Sequence, residues 1–133
     1  ADPLRPVQHL SLGNPHAVVG VEDVHEVDLV ALGGIVPYVN LEIVEPGPEP
    51  HAITMRVHER GAGITEACGT GACASAWAAH QWGLATAIEG EIVVHMDGGD
   101  ATVRLHQPAA GRVTLVGPAQ YIATVEVTVG DDR

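Results

Sequence analysis

The chain has 133 residues, 46% of them hydrophobic, which is enough for one domain with a substantial core. Aromatic residues make up only 3%, so that core is expected to consist of Val, Ile, Leu and Ala. The formal net charge of −11 repels phosphate backbones and anionic lipid, so we expect neither a nucleic-acid nor a membrane partner. All six basic residues are Arg. The lack of Lys excludes a pyridoxal Schiff base, a phosphate-loop lysine and an amine nucleophile within this chain.

The N-terminal residues ADPLRP contain neither the basic nor the apolar region of a signal peptide, which favours a cytoplasmic location. The chain does not begin with Met, so it is expected to be part of a longer protein. Its two thiols, Cys68 and Cys73, lie five residues apart. This spacing fits neither a disulfide framework nor a zinc or redox motif.

Strand patterns dominate the first half of the chain. Alternating or β-branched apolar residues predict strands over residues 7–13, 16–23, 39–45 and 51–59. Residues 24–34 predict a short helix that Gly33 and Gly34 terminate. The PGPEP stretch at 46–50 predicts a turn or loop.

The second half begins with the strongest helix pattern, over residues 70–82, with Thr70 as predicted N-cap and Gly83 as predicted C-cap. Its first two turns carry Gly, Ala, Cys and Ser on every side, which indicates a helix buried all round. Further strands are predicted over residues 91–96, 101–106, 112–117 and 121–129, with DGGD (97–100) as a hairpin turn. About eight mostly antiparallel strands and one small-residue helix predict an α+β fold, a barrel-like sheet curled around that helix.

The glycine-rich stretch ERGAGITEACGTGACASA, residues 59–76, contains the most reactive side chain of the sequence. Cys68 lies just before the predicted helix, where unpaired N–H groups and the helix dipole favour negative charge. That position suits a thiolate acting as nucleophile or base. It equally suits a ligand carboxylate bound by the N–H groups of Gly69, Thr70 and Gly71. The alternative is that Cys68 is a small buried hydrophobe, which is what we expect of Cys73 inside the helix.

Other polar residues lie at the ends of predicted strands. Glu59 and Arg60 enter the same loop as Cys68, so they either face its pocket or form a solvated surface pair. Asn14 and His16 lie at the start of a strand, in GNPHAVV. For His16 the alternative is a structural histidine. The other histidines show no ligand spacing, so no metal site is predicted.

ERGAGITEACGTGACASA resembles the second cysteine motif of the diaminopimelate epimerase family. The segments LGNPHAVV, VNLEIVE and LVGPAQYIATVEV resemble further segments of that family, and the matches follow the family's order from near residue 10 to near residue 129. Family members have two pseudo-symmetric halves, each a sheet around a central helix with one catalytic cysteine. The resemblance implies that residues 1–133 are a single domain, the C-terminal half, and that the N-terminal domain is a missing partner.

The resemblance also implies an activity and a set of roles. The family interconverts LL- and meso-diaminopimelate, in lysine and peptidoglycan-precursor biosynthesis, without a cofactor. One cysteine thiolate removes the α-proton and the opposite thiol protonates the other face. The implied roles are Cys68 as one acid/base cysteine; Glu59 and His16 as its polar partners; Gly69 and Thr70 as ligands of the α-carboxylate; and Arg60, Asn14 and Asn40 as ligands of the distal carboxylate.

Two other interpretations stay open at this point. One is a related cofactor-independent isomerase with another substrate, similar to proline racemase or the phenazine-biosynthesis isomerase; the ERG sequence argues against it, because Arg60 suits a distal carboxylate. The other is an amino-acid-binding domain without catalysis. With one cysteine the isolated half is expected to be inactive, and its docking face is expected to allow self-association into a homodimer.

Overall fold

The computed structural model describes residues 6–65, 68–107, 112–116 and 121–129. Its helices are α1, Leu29–Ile35, and α2, Gly69–Trp82. The strands of the first half are β1 Val7–Ser11, β2 Pro15–Gly20, β3 Asn40–Pro46, β4 Ala52–Glu59 and β5 Gly63–Thr65. Those of the second half are β6 Glu91–Met96, β7 Gly99–Gln107, β8 Arg112–Val116, β9 Tyr121–Glu126 and β10 Thr128–Val129.

The strands form one mixed sheet in the order β10-β1-β2-β3-β4-β6-β7-β8-β9, with β5 paired to β4. Among the described strands the pairs β2–β3 and β4–β6 are parallel, and the remaining neighbours are antiparallel. The strands β9 and β10 lie at opposite ends of this order, yet Val127 alone separates them along the chain. One residue spans only about 3.8 Å between neighbouring Cα atoms, so the sheet curls until its two ends meet.

Helix α2 lies inside the curl. In the described part of the chain it contacts seven strands, β1–β4 and β6–β8. Residues 71–79 are all buried, and they include Cys73, as the sequence indicated. Small side chains keep the helix thin enough for strands to approach it from every side. The predicted architecture, a barrel-like sheet around one small-residue helix, is therefore confirmed, and the described residues form ten strands rather than about eight.

A second, smaller core lies on the outer face of the sheet, under α1. It joins Leu29 of the helix to residues of β2 and β3, among them Val19, Leu41 and Ile43. Because β3 is covered by α2 on one face and by this cluster on the other, residues 40–44 are buried on both faces. The period-two pattern of β3 therefore separates two buried faces.

Several predicted boundaries need correction. Helix α1 starts later than residue 24, after its N-cap Asp28, and continues through Gly33 and Gly34 to Ile35. The strand predicted over 121–129 breaks at Val127, and β5 inside the glycine-rich stretch was not predicted. The hairpin turn at 97–100 is confirmed, since Met96 pairs with Gly99. Gly83 is confirmed as the C-cap of α2, with a left-handed φ of 74°.

Candidate active site

The predicted site residues meet at one edge of the sheet, beside the N-terminus of α2. The parallel strands β2 and β3 both begin there, with His16 in register with Asn40. The antiparallel strand β4 ends there, because Leu41 of β3 pairs with His58, one residue before Glu59. The loop after β5 then leads into α2. Four elements thus bring their polar ends to one place.

Cys68 is the N-cap of α2, which corrects the prediction of Thr70 for this position. Its backbone is extended, with φ −149° and ψ 111°, and its Sγ accepts a hydrogen bond from the N–H of Gly71 at 3.3 Å. The Oγ1 of Thr70 lies 3.7 Å from the same sulfur. The half-buried thiol therefore takes the place that a serine or aspartate usually occupies, and the helix end stabilises negative charge on it.

The first turn of α2 still offers backbone donors. The N–H of Gly71 is taken by Cys68, and the N–H groups of Gly69 and Thr70 come before it, where a helix supplies no internal acceptor. Within the described ranges no acceptor contacts these two groups, and Gly69 is exposed. Such donors suit a carboxylate.

His16 is held on both ring nitrogens. Its Nδ1 lies 2.9 Å and 3.0 Å from the two carboxyl oxygens of Glu42, and both side chains are fully buried. Its Nε2 lies 3.0 Å from Oδ1 of the half-buried Asn14. His16 is thus the centre of a buried polar network that joins Glu42 to Asn14, and its part in the chemistry stays a prediction.

Burial sets the charge of this network. Desolvation lowers the pKa of His16 to about 4, and the nearby Glu59 carboxylate opposes that shift. Desolvation raises the pKa of Glu42 well above its ordinary value, and the negative charges of Cys68 and Glu59 act in the same direction. Burial therefore disfavours the charged form of both groups. Desolvation also raises the pKa of Cys73 to about 12, so Cys73 is an un-ionised core thiol.

Glu59 and Thr65 lie at the side of the site that is formed by β4 and β5. The hydroxyl of Thr65 donates to Oε2 of Glu59 across the β4–β5 pair. Glu59 is half-buried, and its charge acts on both His16 and Glu42. It therefore faces the site rather than forming a solvated pair with Arg60.

Asn40 and Arg60 meet through the backbone. The buried Asn40 accepts the N–H of Arg60 at 2.9 Å and donates to the carbonyl of Pro15 at 3.1 Å. Asn40 thereby ties the end of β4 to the start of β2, and within the described residues one N–H and one lone pair of its amide have no partner. The side chain of Arg60 is exposed at the rim.

Glu42 is not among the residues predicted from the sequence; it lies two residues after Asn40 on the same face of β3. The alternation of β3 is typical of a strand with one solvated face, so a carboxylate there did not stand out. A Cβ on Gly71 would lie 3.2 Å from Sγ of Cys68 and 3.3 Å from Oε2 of Glu42. The two side chains are thus neighbours across one glycine, and no sequence pattern signals that contact.

Neither helix in the described ranges has the length and apolarity to cross a membrane. The same residues contain no group of three or more His, Cys, Asp or Glu arranged to hold a metal. The expectation of a metal-free site stays a prediction.

Comparison with known proteins identifies the family. The family model described as diaminopimelate epimerase matches residues 9–122. The chain belongs to the diaminopimelate epimerase family. Among curated members of this family, the diaminopimelate epimerase of Geobacillus thermodenitrificans is 40% identical over 122 residues, covering 86% of this chain and 41% of the relative. That of Phocaeicola vulgatus is 42% identical over 126 residues, covering 87% and 42%. The chain thus spans about two fifths of these epimerases.

Solved structures confirm the epimerase-like fold. The Bacillus anthracis phenazine biosynthesis protein of the PhzF family superposes with a TM-score of 0.62 at 17% identity, covering 82% of this chain and 38% of that one. A hydroxyproline epimerase from Agrobacterium vitis superposes with a TM-score of 0.59 at 15% identity, covering 84% and 41%. At these identities the likeness concerns the fold alone.

Proposed function

We propose that this chain is the C-terminal half of a diaminopimelate epimerase and supplies one of its two acid/base cysteines. The observation that carries the proposal is the position of Cys68 as N-cap of α2, next to a buried His16–Glu42 pair and to helix N–H groups that no acceptor in the described ranges contacts. Family membership supports the substrate, because curated relatives at 40–42% identity are named for diaminopimelate.

The proposed chemistry is proton exchange at the α-carbon. The α-carboxylate binds at the N–H groups of Gly69 and Thr70, which places the α-carbon near Sγ of Cys68. The Cys68 thiolate takes the α-proton from one face while the thiol of the absent half gives a proton to the other. In the reverse direction Cys68 is the donor. The helix end stabilises the negative charge that develops on the carboxylate as the carbanion forms.

The remaining predicted residues orient the substrate. Arg60 at the rim is proposed to pair with the distal carboxylate, for which a guanidinium offers bidentate donors. The side-chain amides of Asn14 and Asn40 are proposed to assist Arg60 in binding the distal carboxylate. Glu59 and His16 are proposed as the polar partners of the reacting centre. This chain contains no lysine that could form a Schiff base, and we propose that the reaction runs without pyridoxal phosphate.

The other half of the site is proposed to come from an N-terminal domain that docks against α2's first turn. Without it the chain is expected to be inactive, and its docking face is expected to permit a homodimer. A thiolate that takes part in catalysis needs a reducing compartment, so we propose a cytoplasmic location. The proposed substrate places the enzyme in lysine biosynthesis.

The test is α-hydrogen exchange of LL-diaminopimelate in deuterated water. It is run on this chain alone and on this chain joined to the N-terminal half of the Geobacillus thermodenitrificans epimerase. Exchange in the joined protein alone is the expected result. A joined protein that folds but shows no exchange contradicts the proposal and favours an amino-acid-binding domain.

Cys68→Ala in the joined protein is expected to reduce exchange by at least about a thousandfold, because an essential acid/base group is lost. Cys73→Ala is the matched control, since Cys73 is a core thiol in the same helix. Its exchange rate should stay within a few-fold of the parent. Parent-like turnover in Cys68→Ala would show that Cys68 is not the base.

A further inference from the structure

Glu42 has no role in the chemistry described above, yet it is a fully buried carboxyl beside the site. It is the inner neighbour of His16, and its Oε2 reaches the first turn of α2 at Gly71. A buried carboxyl is costly unless it is neutral or paired, so its retention there needs an explanation.

The hydrogen bonds around His16 define where its protons are. Oδ1 of Asn14 can only accept, so the Nε2 that faces it at 3.0 Å carries a proton. A neutral imidazole then has a bare lone pair at Nδ1. The two carboxyl oxygens of Glu42 lie 2.9 and 3.0 Å from Nδ1, and two acceptors cannot face each other without a proton between them.

Two arrangements satisfy this geometry: a neutral carboxylic acid donating to Nδ1, or a carboxylate facing an imidazolium. Both side chains have 0% exposure, so the separated charges would have to be held without water. The ion pair would also place a carboxylate next to Cys68 and the proposed carboxylate-binding N–H groups. Burial favours the neutral arrangement, in agreement with the lowered pKa of His16 and the raised pKa of Glu42.

We propose that Glu42 is a positioning residue of the site: its neutral carboxyl donates a hydrogen bond to Nδ1 of His16, which fixes the ring with Nε2–H directed to Asn14. The proposal rests on the proposed function for its catalytic consequence. The neutral pair holds His16 rigidly without adding negative charge beside an anionic thiolate and an anionic substrate. It also makes Glu42 a link between strand β3 and the first turn of α2.

The protonation state is tested first, on this chain alone and independently of any activity. Carbon-13 NMR of the Glu42 carboxyl, assigned by comparison with Glu42→Gln, is expected to show a protonated acid at pH 7. Long-range nitrogen-15 NMR is expected to show His16 protonated at Nε2 and not at Nδ1. An ionised Glu42, or His16 protonated at Nδ1, overturns the proposal, whatever the outcome for epimerase activity.

The positioning role is tested in the joined two-domain protein. Glu42→Leu removes the donor and should lower kcat by about tenfold to a hundredfold, because a misoriented group misplaces the reacting geometry. KM should change less than about threefold, since Glu42 touches no proposed ligand group. Glu42→Gln keeps a neutral donor of the same shape and should restore kcat to within about threefold.

Glu45→Leu and Glu45→Gln are the matched controls, since Glu45 is a half-buried carboxylate three residues further along β3. Both should leave kcat near the parent value. A Glu42→Gln variant as slow as Glu42→Leu would mean that negative charge is needed, and a fully active Glu42→Leu would mean that Glu42 only fills space. Either result refutes the positioning role. If Glu42→Leu does not fold, the kcat of Glu42→Gln and the NMR measurement of the Glu42 carboxyl still test the proposal.

Discussion

At the residue scale, Gly71 lies in close contact with the side chains of Cys68 and Glu42. Its N–H donates to Sγ of Cys68, and a Cβ there would lie 3.2 Å from that sulfur and 3.3 Å from Oε2 of Glu42. Such contacts are tighter than ordinary packing allows, so one of the two side chains would have to move. A glycine is needed here for space rather than for backbone conformation.

Gly71→Ala is therefore expected to reduce α-hydrogen exchange by the joined two-domain protein by about tenfold to a hundredfold, through displacement of the thiol. Thermal stability should change little, because alanine favours a helix by up to about 1 kcal/mol and offsets the crowding. Exchange rates and melting temperature are measured together. An unchanged exchange rate would show that Cys68 tolerates displacement, and a collapsed melting temperature would show that the fold rather than the site needs Gly71.

At the element scale, two adjacent glycines in α1 have different reasons to be there. A Cβ on Gly33 would lie 2.3 Å from Cγ of the His58 ring, whereas a Cβ on Gly34 would have nothing within 4 Å. Helix α1 thus packs on β4 through the bare backbone of Gly33. This contact also explains why the helix continues through both glycines, where the sequence predicted an end: packing outweighs a weak local preference.

Substitutions of the two glycines test whether α1 packs on β4 through Gly33. Gly33→Ala should destabilise the chain, since overpacking costs about 1–3 kcal/mol and the helix gains at most about 1 kcal/mol in return. Gly34→Ala gains the same helix preference without a clash and should be neutral or stabilising by up to about 1 kcal/mol. Chemical denaturation measures both. Equal effects of the two variants would show that the His58 ring moves away freely.

His95 of β6 contacts two carboxylates, and this histidine clamp should make the stability of the fold depend on pH. Nε2 of His95 lies 2.7 Å from Glu49, and its Nδ1 lies 2.8 Å from Asp100 of β7. The hydrogen bond with Glu49 raises the pKa of His95, and the same bond lowers the pKa of Glu49. The clamp joins the loop before β4 to the β6–β7 hairpin.

The pH window follows from these directions. A raised histidine pKa stabilises the fold below the ordinary value of 6.5, and this is lost as pH rises through the raised value. A lowered glutamate pKa stabilises above the ordinary value of 4.5 and is lost as pH falls through the lowered value. His95→Gln should therefore lower the melting temperature more at pH 5.5 than at pH 9. The exposed His25→Gln is the control, and an effect of His95→Gln that is equal at both pH values would contradict the clamp.

The sequence predicts features that depend on neighbouring residues better than contacts between residues far apart along the chain. Apolar periodicity depends on near neighbours along the chain, so most strands, the buried helix α2 and the core position of Cys73 followed from it. The Glu42–His16 contact joins residues 26 positions apart, and no local pattern predicts it. The N-cap was misassigned to Thr70 because a thiol is a rare cap, and only the 3.3 Å contact with Gly71 identifies Cys68.

At the scale of the whole molecule, the curled sheet and the thin helix depend on each other. Seven strands approach α2 in the described part of the chain, and Val127 joins the two ends of the sheet. The circumference of the sheet is thus set by the diameter of what it encloses. Residues such as Ala72, Ala74, Ala76 and Ala78 have 0% exposure, so the strands shield this part of the helix completely from water.

A single larger side chain on α2 should therefore affect the whole curled sheet. Ala76→Leu adds three carbon atoms at a site with 0% exposure, and the strands can yield only by widening the curl. We expect a loss of about 1–3 kcal/mol in the free energy of unfolding, the usual cost of overpacking a core. Gln81→Leu, the same side chain introduced at an exposed position of the same helix, is the matched control and should stay within about 0.5 kcal/mol of the parent. Urea denaturation of both variants decides: if Ala76→Leu is as stable as Gln81→Leu, the sheet opens without strain and does not close tightly around α2.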